Sequence, residues 1–257
     1  MQKKRIISFA LAILFLLTGC NNSTSKGEVK SSNKISLQLE SNHFKFYSKD
    51  QDKKCLEDLS KALEENYTRI TNDLITKSIK NVDVYVYSDL DTYHKEINQP
   101  DAPTWVVGNA GPEPNTIKMA NPLNVDGPSY SNFMKIIVHE FTHVVVSNIN
   151  PNASNIPIWL NEGIATYESK QFSKADMTNY KDKLGKYPLK DLETDFLAFG
   201  NNNGYIISYC IVEYIIKTYG YDKLIDSIKT PSDMEKIFGV SKEDFQNSFI
   251  FYINNNY

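Results

Sequence analysis

Two histidines and a glutamate stand close together in the sequence His139-Glu140-Phe141-Thr142-His143. On a helix, each residue turns the chain by about 100°, so residues four apart lie about 40° from each other on one face. His139 and His143 would therefore present two imidazoles from a single turn, which is half of a tetrahedral zinc site. Glu140 lies on the adjacent flank, where its carboxylate can reach a water molecule on the same ion.

These residue types suit metal-assisted hydrolysis. A catalytic zinc ion lowers the pKa of its water to about 7, and a nearby carboxylate can take that proton and later give it to a leaving amine. The motif thus indicates Glu140 as general base on a zinc-bound water. Five residues also match by chance, and the alternative is a buried helix whose histidines bond to backbone carbonyls.

A third zinc ligand is expected, because catalytic zinc usually takes three protein ligands and leaves a fourth position open. Glu162, within Trp159-Leu160-Asn161-Glu162-Gly163-Ile164-Ala165, is the candidate. A polar turn after Pro151 separates it from the histidines, and Pro157 suits the first turn of a second helix. Two helices joined by a short loop pack antiparallel, which can bring Glu162 to both imidazoles.

The two motifs together resemble those of the gluzincin metallopeptidases. Eighteen residues separate His143 from Glu162, a spacing similar to that of the family M1 aminopeptidases and the smaller peptidase MA-like domains. The resemblance is close over residues 130–169 and loose elsewhere. It implies one Zn²⁺ ion per chain, bound by His139, His143 and Glu162, with Glu140 as the base, in an α+β, zincin-like domain of thermolysin type.

The resemblance also implies residues that contact substrate. A tyrosine corresponding to Tyr205 stabilises the oxyanion in these families, and Tyr209, one turn later, is its rival. An extended peptide pairs with the edge strand that precedes the metal-binding helix, although a purely structural strand is an equal alternative. The candidate residues of this strand are Asn115, Thr116, Ile117, Lys118, Met119 and Ala120.

One departure from the M1 pattern narrows the expected activity. The G-x-M-E-N segment that holds a substrate's amino terminus in M1 aminopeptidases has no counterpart between Trp105 and Ser129. The smaller peptidase MA-like domains lack it too. Cleavage within proteins or of short peptides is therefore expected rather than aminopeptidase activity.

The elements that position these residues follow from periodicity. A small mixed sheet interleaved with helices is expected first, followed by a helical half. His94 is expected on the surface of a short helix capped by Asp89 or Asp91. The polar connection 172–203 is expected to cover the cleft. Strand patterns occur at residues 43–47, 82–87, 104–107 and 116–120, and helix patterns at residues 52–78, 90–97, 128–148, 157–166, 206–216, 222–229, 232–238 and 242–253.

The N-terminus has the pattern of an export signal. Lys3, Lys4 and Arg5 precede an apolar run, and Leu17-Thr18-Gly19-Cys20 resembles a bacterial lipobox, whose cysteine carries lipid. The interpretation is a lipoprotein signal peptide at 1–19, lipidation of Cys20, a flexible tether at 20–34 and a peptidase domain at 35–257. An uncleaved anchor or an ordinary signal peptide is the alternative, and each of these also exports the chain. The expected location is the extracytoplasmic face of a bacterial cell membrane.

Charge and cysteine content restrict the partners. Removal of residues 1–19 changes 28 basic residues against 31 acidic ones to 25 against 31, a net charge of about −6 that disfavours nucleic acid. The expected partners are a peptide or protein substrate and, through the lipid anchor, the membrane. Cys55 and Cys210 are expected to remain separate thiols.

Two other functions fit the same motifs. A non-catalytic zinc-containing lipoprotein could hold a peptide or protein partner in its cleft, although the intact Glu140 argues against this. A zinc-storage or zinc-delivery lipoprotein should carry histidine-rich loops, whereas this chain has four histidines in all.

Overall fold

The computed structural model describes residues 35–49, 53–79, 81–184, 199–200 and 203–257. The expected signal peptide and the tether with Cys20 lie outside these residues, as does much of the polar connection, residues 185–198. Among the described helices, none is both long and apolar enough to cross a membrane.

A five-stranded mixed sheet forms the N-terminal part of the domain, in the order β1-β2-β3-β5-β4. The two central pairs, β2 with β3 and β3 with β5, are parallel, whereas the outer pairs, β1 with β2 and β4 with β5, are antiparallel. Buried and half-buried residues alternate along β2 and through most of β3, as the sequence patterns predicted. The strands are β1 (Ser36–Glu40), β2 (Phe44–Ser48), β3 (Val82–Tyr87), β4 (Gly108–Ala110) and β5 (Thr116–Ala120).

The strand order corrects the expected edge. Residues 116–120 do form a strand, but β5 lies between β3 and β4 and is not an edge strand. The edge on this side is β4. The strand expected at residues 104–107 is wrong, because the chain turns at residues 104–105 and the strand begins only at Gly108. Asn115, in the left-handed conformation at φ 52°, joins the turn after β4 to β5.

Helices make up most of the remaining described chain. Ser129 begins α3 by accepting a hydrogen bond from the backbone N–H of Asn132, and Pro157 precedes α4. The helices are α1 (Lys53–Asp73), α2 (Leu90–Glu96), α3 (Tyr130–Ile149), α4 (Ile158–Glu168), α5 (Lys174–Leu184), α6 (Gly204–Tyr219), α7 (Tyr221–Lys229), α8 (Met234–Phe238) and α9 (Lys242–Asn256).

The core packs α3 against both the sheet and α1. Phe141, inside the histidine motif, packs edge-on against Phe44 of β2, with ring centroids 5.2 Å apart, and stacks on Tyr67 of α1 at 5.5 Å. All three rings are buried. Because Phe141 occupies the core face of α3, the histidines on either side of it in sequence point to the opposite side of the helix.

The expected α+β class, with a small N-terminal mixed sheet and a mostly helical remainder, is confirmed. Cys55 and Cys210 are both buried and are not joined in a disulfide, as expected. His94 differs from expectation because it is buried, and its Nε2 lies 2.8 Å from the carbonyl oxygen of Val106. This bond ties α2 to the segment that leads into β4.

Candidate metal centre

Helix α3 holds the two imidazoles together. His139 and His143 lie one turn apart, and their Nε2 atoms are 3.0 Å from each other. The side chains are only 8% and 12% exposed. Two lone pairs directed at one point from a packed helix form a preorganised half of a metal site.

Helix α4 supplies the third donor, as the sequence predicted. Oε2 of Glu162 lies 3.1 Å from Nε2 of His139 and 3.6 Å from Nε2 of His143. One ligand atom from each residue lies within 4.8 Å of the others, and no second such cluster occurs among the described residues. Two imidazoles and one carboxylate are a zinc donor set that leaves room for a fourth ligand. The three residues therefore fit a metal ion. The Nε2 atoms of His139 and His143 face Glu162 and each other, and not backbone carbonyl groups as the alternative required.

The electrostatics of the cluster favour a cation. Burial disfavours the charged form of Glu162, but the adjacent imidazoles outweigh burial, and its pKa is lowered. Burial also opposes protonation of His143, yet the Glu162 carboxylate raises the pKa of His143 to about 9. The cluster therefore holds a positive charge beside Glu162, and either a proton or a metal ion can supply it.

Hydrogen bonds around the cluster differ between the two histidines. Nδ1 of His143 lies 3.1 Å from Oδ1 of Asn161, which selects the tautomer that leaves Nε2 free to bind a metal. Nδ1 of His139 is buried and has no hydrogen-bond partner among the described residues. Thr166, one turn after Glu162, donates to the carbonyl oxygens of Glu162 and Gly163 in its own helix.

Glu140 faces β4 beside the cluster. A Cβ atom placed on Gly108 would lie 3.2 Å from Oε1 of Glu140, and the backbone N–H of Ala110 donates to this carboxylate. Burial raises the pKa of Glu140, while the imidazoles of His139 and His143 oppose that shift. A buried carboxyl with a raised pKa is suited to accepting and returning a proton near neutral pH.

The two candidate tyrosines occupy different environments. Tyr205, at the start of α6, lies with its ring centroid 6.4 Å from that of His139, and it lines the same cleft. Burial raises its pKa, so its hydroxyl keeps its proton at neutral pH. Tyr209 packs instead against Tyr167 and Phe172, with centroids 5.3 and 5.8 Å away. The geometry thus brings Tyr205, and not Tyr209, to the cluster.

A cleft of about 1090 Å³ opens over these residues, and β4 forms one of its walls. Gly111 donates to Thr116, and Ala120 donates to Val107, so pairing with β5 uses the backbone groups at positions 107, 109 and 111. By alternation, the backbone groups of Gly108 and Ala110 point away from β5. Sequence reasoning missed β4 because three small residues carry no clear strand pattern.

The residues expected at the edge lie behind β4. Thr116, Ile117, Met119 and Ala120 are buried, and the ammonium group of Lys118 lies 3.0 Å from a carboxylate oxygen of Glu113. Asn115 and Thr116 still contribute to the cleft lining. A substrate-binding role for 115–120 stays a prediction, but it can no longer rest on an open edge.

Comparison with known proteins links the chain to one family. The model of the peptidase MA superfamily matches residues 62–243, which include the cluster, Glu140 and Tyr205. A search of the curated proteins gave no match.

Proposed function

Because the chain belongs to the peptidase MA superfamily, we propose that it is a zinc-dependent peptidase. His139, His143 and Glu162 hold the ion, and Glu140 is the general base. The proposal extends to a zincin-like domain of thermolysin type related to the gluzincin and M1 peptidases, as the W-L-N-E-G-I-A segment suggests.

The observation that carries the proposal is the convergence of three donors beside a fourth residue that does not join them. His139, His143 and Glu162 meet within 4.8 Å of one another, whereas Glu140 turns to β4. A site that served only to hold a metal would have no use for a buried carboxylate at this position, because burying an ionisable group is costly.

The chain's own groups divide the work of hydrolysis. When bound, zinc supplies a Lewis acid that polarises a carbonyl and acidifies water. Glu140 accepts a proton from water in the cleft and returns it to the departing amine nitrogen. The hydroxyl of Tyr205 donates a hydrogen bond to the carbonyl oxygen of the substrate as negative charge develops on it.

Strand β4 holds the peptide in this proposal. The N–H and carbonyl groups of Gly108 and the carbonyl group of Ala110 pair with the main chain of an extended substrate, which requires no particular side chain, while the Ala110 N–H stays bonded to Glu140. Since the Glu140 carboxylate accepts a hydrogen bond from Ala110 and lies beside Gly108, a peptide on this edge passes close to the base.

The N-terminal pattern supports a location at the membrane. We propose that the mature protein is tethered through lipid on Cys20 to the extracytoplasmic face of a bacterial membrane, as the lipobox-like sequence suggests. Expressed in a bacterium, the wild type should incorporate labelled palmitate and the Cys20→Ser variant should not; equal labelling of the two proteins would refute the lipid anchor.

The decisive experiment uses purified mature protein, a mixed peptide library and mass spectrometry. Cleavage should stop with a chelator and return with zinc. Glu140→Gln should bind zinc as the wild type does and lose at least 100-fold in kcat, because an amide cannot accept the proton. Glu65→Gln, an exposed residue on α1, is the matched control and should keep full activity.

Two results would refute the assignment. Equal cleavage by Glu140→Gln and wild type would remove Glu140 as the base. Zinc binding with no cleavage of any library peptide would favour the non-catalytic binding protein instead.

A further inference from the structure

Helices α4 and α6 come unusually close at Gly163. A Cβ atom added there would lie 2.5 Å from the carbonyl oxygen of Ser208 and 2.7 Å from Cγ2 of Val212. Neither distance is possible for a real Cβ, and the first involves a backbone atom that cannot rotate away. The present separation of the two helices therefore requires glycine at this position.

The conformation of Gly163 does not itself require glycine. It lies inside α4, its φ angle is not positive, and a glycine in a helix interior costs about 1 kcal/mol relative to alanine. The close approach to α6 is the feature that offsets this cost.

The contact between α4 and α6 at Gly163 lies close in sequence to Glu162 and Tyr205, two residues of the proposed site. Gly163 directly follows Glu162, and Ser208 follows Tyr205 by three residues, which is about one helical turn. Any change in the spacing at Gly163 therefore changes where Glu162 stands relative to Tyr205.

Helix α4 is also held at its other contacts. Its C-terminal residue Glu168 is fully buried and bonded to Arg69 of α1 and Tyr221 of α7. Asn161 bonds His143 on α3. An added methyl group at Gly163 would thus push apart two helices, one of which is bonded to α1, α3 and α7. No exposed side of α4 is left at these contacts to accommodate the displacement.

We propose that Gly163 is a positioning residue that sets the spacing of α4 and α6 and thereby the placement of the Glu162 carboxylate. The zinc-binding part of this inference rests on the proposed metal centre but not on peptidase activity. Ligand distances in metal sites tolerate about 0.2 Å, so a helix displacement sufficient to admit a methyl group should be felt at the ion.

The test measures zinc affinity by competition with a chromophoric chelator. Gly163→Ala should bind zinc at least tenfold more weakly than wild type, as is usual when the support of a ligand is disturbed. Val212→Ala is the matched control, because it removes methyl groups from the same contact and adds none. It should bind zinc within twofold of wild type.

Folding is checked by circular dichroism of the metal-free proteins. If Gly163→Ala does not fold, Gly163→Ala/Val212→Ala keeps only the contact with Ser208 and serves as the test variant. A folded variant with the Gly163→Ala substitution that binds zinc within twofold of wild type would overturn the inference.

Peptide cleavage separates this inference from the proposed function. A wild type that binds zinc but cleaves nothing, alongside a Gly163→Ala variant that binds zinc weakly, would reject the peptidase and retain the positioning role. A wild type that cleaves peptides, with unaltered zinc affinity in Gly163→Ala, would retain the peptidase and reject the positioning role.

Discussion

Asn161 and His143 are joined across two helices, with the amide oxygen of Asn161 3.1 Å from Nδ1 of His143. Asn161 immediately precedes Glu162, so adjacent residues of α4 serve the site in different ways. Glu162 is itself a donor in the cluster, whereas Asn161 orients His143, a donor that belongs to α3. The two helices are therefore registered against each other by a hydrogen bond even before a metal ion links them.

Loss of this hydrogen bond should weaken metal binding. In Asn161→Ala, His143 loses the acceptor that selects its tautomer, and zinc affinity should fall by about 10- to 100-fold. Asn161→Asp keeps an acceptor oxygen and should bind zinc more tightly than Asn161→Ala. Competition with a chelator measures both, and equal affinities in all three proteins would contradict the role of Asn161.

Removal of the Tyr205 hydroxyl should lower the rate and leave metal binding intact. The loss of one oxyanion donor typically reduces kcat by about 10²- to 10³-fold. Tyr205→Phe should show this loss with zinc affinity within twofold of wild type. Tyr209→Phe, whose ring packs against Tyr167 and Phe172, is the control and should keep its kcat. The reverse ranking of the two variants in a steady-state assay would assign the role to Tyr209.

The ion pair between the half-buried Arg69 and the buried Glu168 should matter for folding stability. The Glu168 side chain is fully buried, so Arg69→Met leaves its charge uncompensated and should cost about 3–5 kcal/mol of unfolding free energy. The double variant Arg69→Met/Glu168→Gln removes that charge and should recover part of the loss. Lys61→Met breaks an exposed pair with Glu65 and should cost less than about 1 kcal/mol.

Urea denaturation of the metal-free proteins measures these differences. An Arg69→Met protein as stable as Lys61→Met would show that the pair does not hold α4 to α1.

Acidification should weaken the cap of α2. Asp89 accepts a hydrogen bond from the backbone N–H of Thr92 at 2.7 Å, and this bond lowers the pKa of Asp89. The folded protein thus prefers the ionised form, so the resulting stability is fully present above the unfolded pKa of about 3.9. It is lost as the pH falls through the lower pKa of the folded state.

The comparison for this prediction is Asp89→Asn, which keeps an acceptor but does not titrate. Wild type should be more stable than the variant at pH 7, by about 0.3–1 kcal/mol from the charge at the helix N-terminus. That advantage should shrink towards pH 3 in denaturant titrations. An advantage independent of pH would rule out ionisation of Asp89 as its source.

The local parts of the site could be predicted from sequence, but the long-range ones could not. His139, His143 and Glu162 lie on two apolar helices joined by a short connection, and this limits how they can meet. The edge strand was placed wrongly because strand order depends on pairing between segments distant in sequence, and β4 contains only small residues.

Two further residues illustrate the same limit. His94 lies on a short helix whose pattern predicts exposure, yet a single carbonyl from the segment before β4 makes its burial favourable. The sequence around position 163 does not show that glycine is required there, because the requirement comes from the close approach of Ser208 on another helix. Contacts of this kind become visible only when the helices are packed.

Strand β4 is only three residues long, which corresponds to a ledge of about 10 Å at about 3.4 Å per residue. A polypeptide that pairs with so short a strand must be locally extended, and in a folded domain most extended segments are already paired within a sheet. A peptidase built this way would select its targets by their lack of folded structure and not by their amino-acid sequence. Such targets are frayed termini, denatured chains and fragments left by other enzymes.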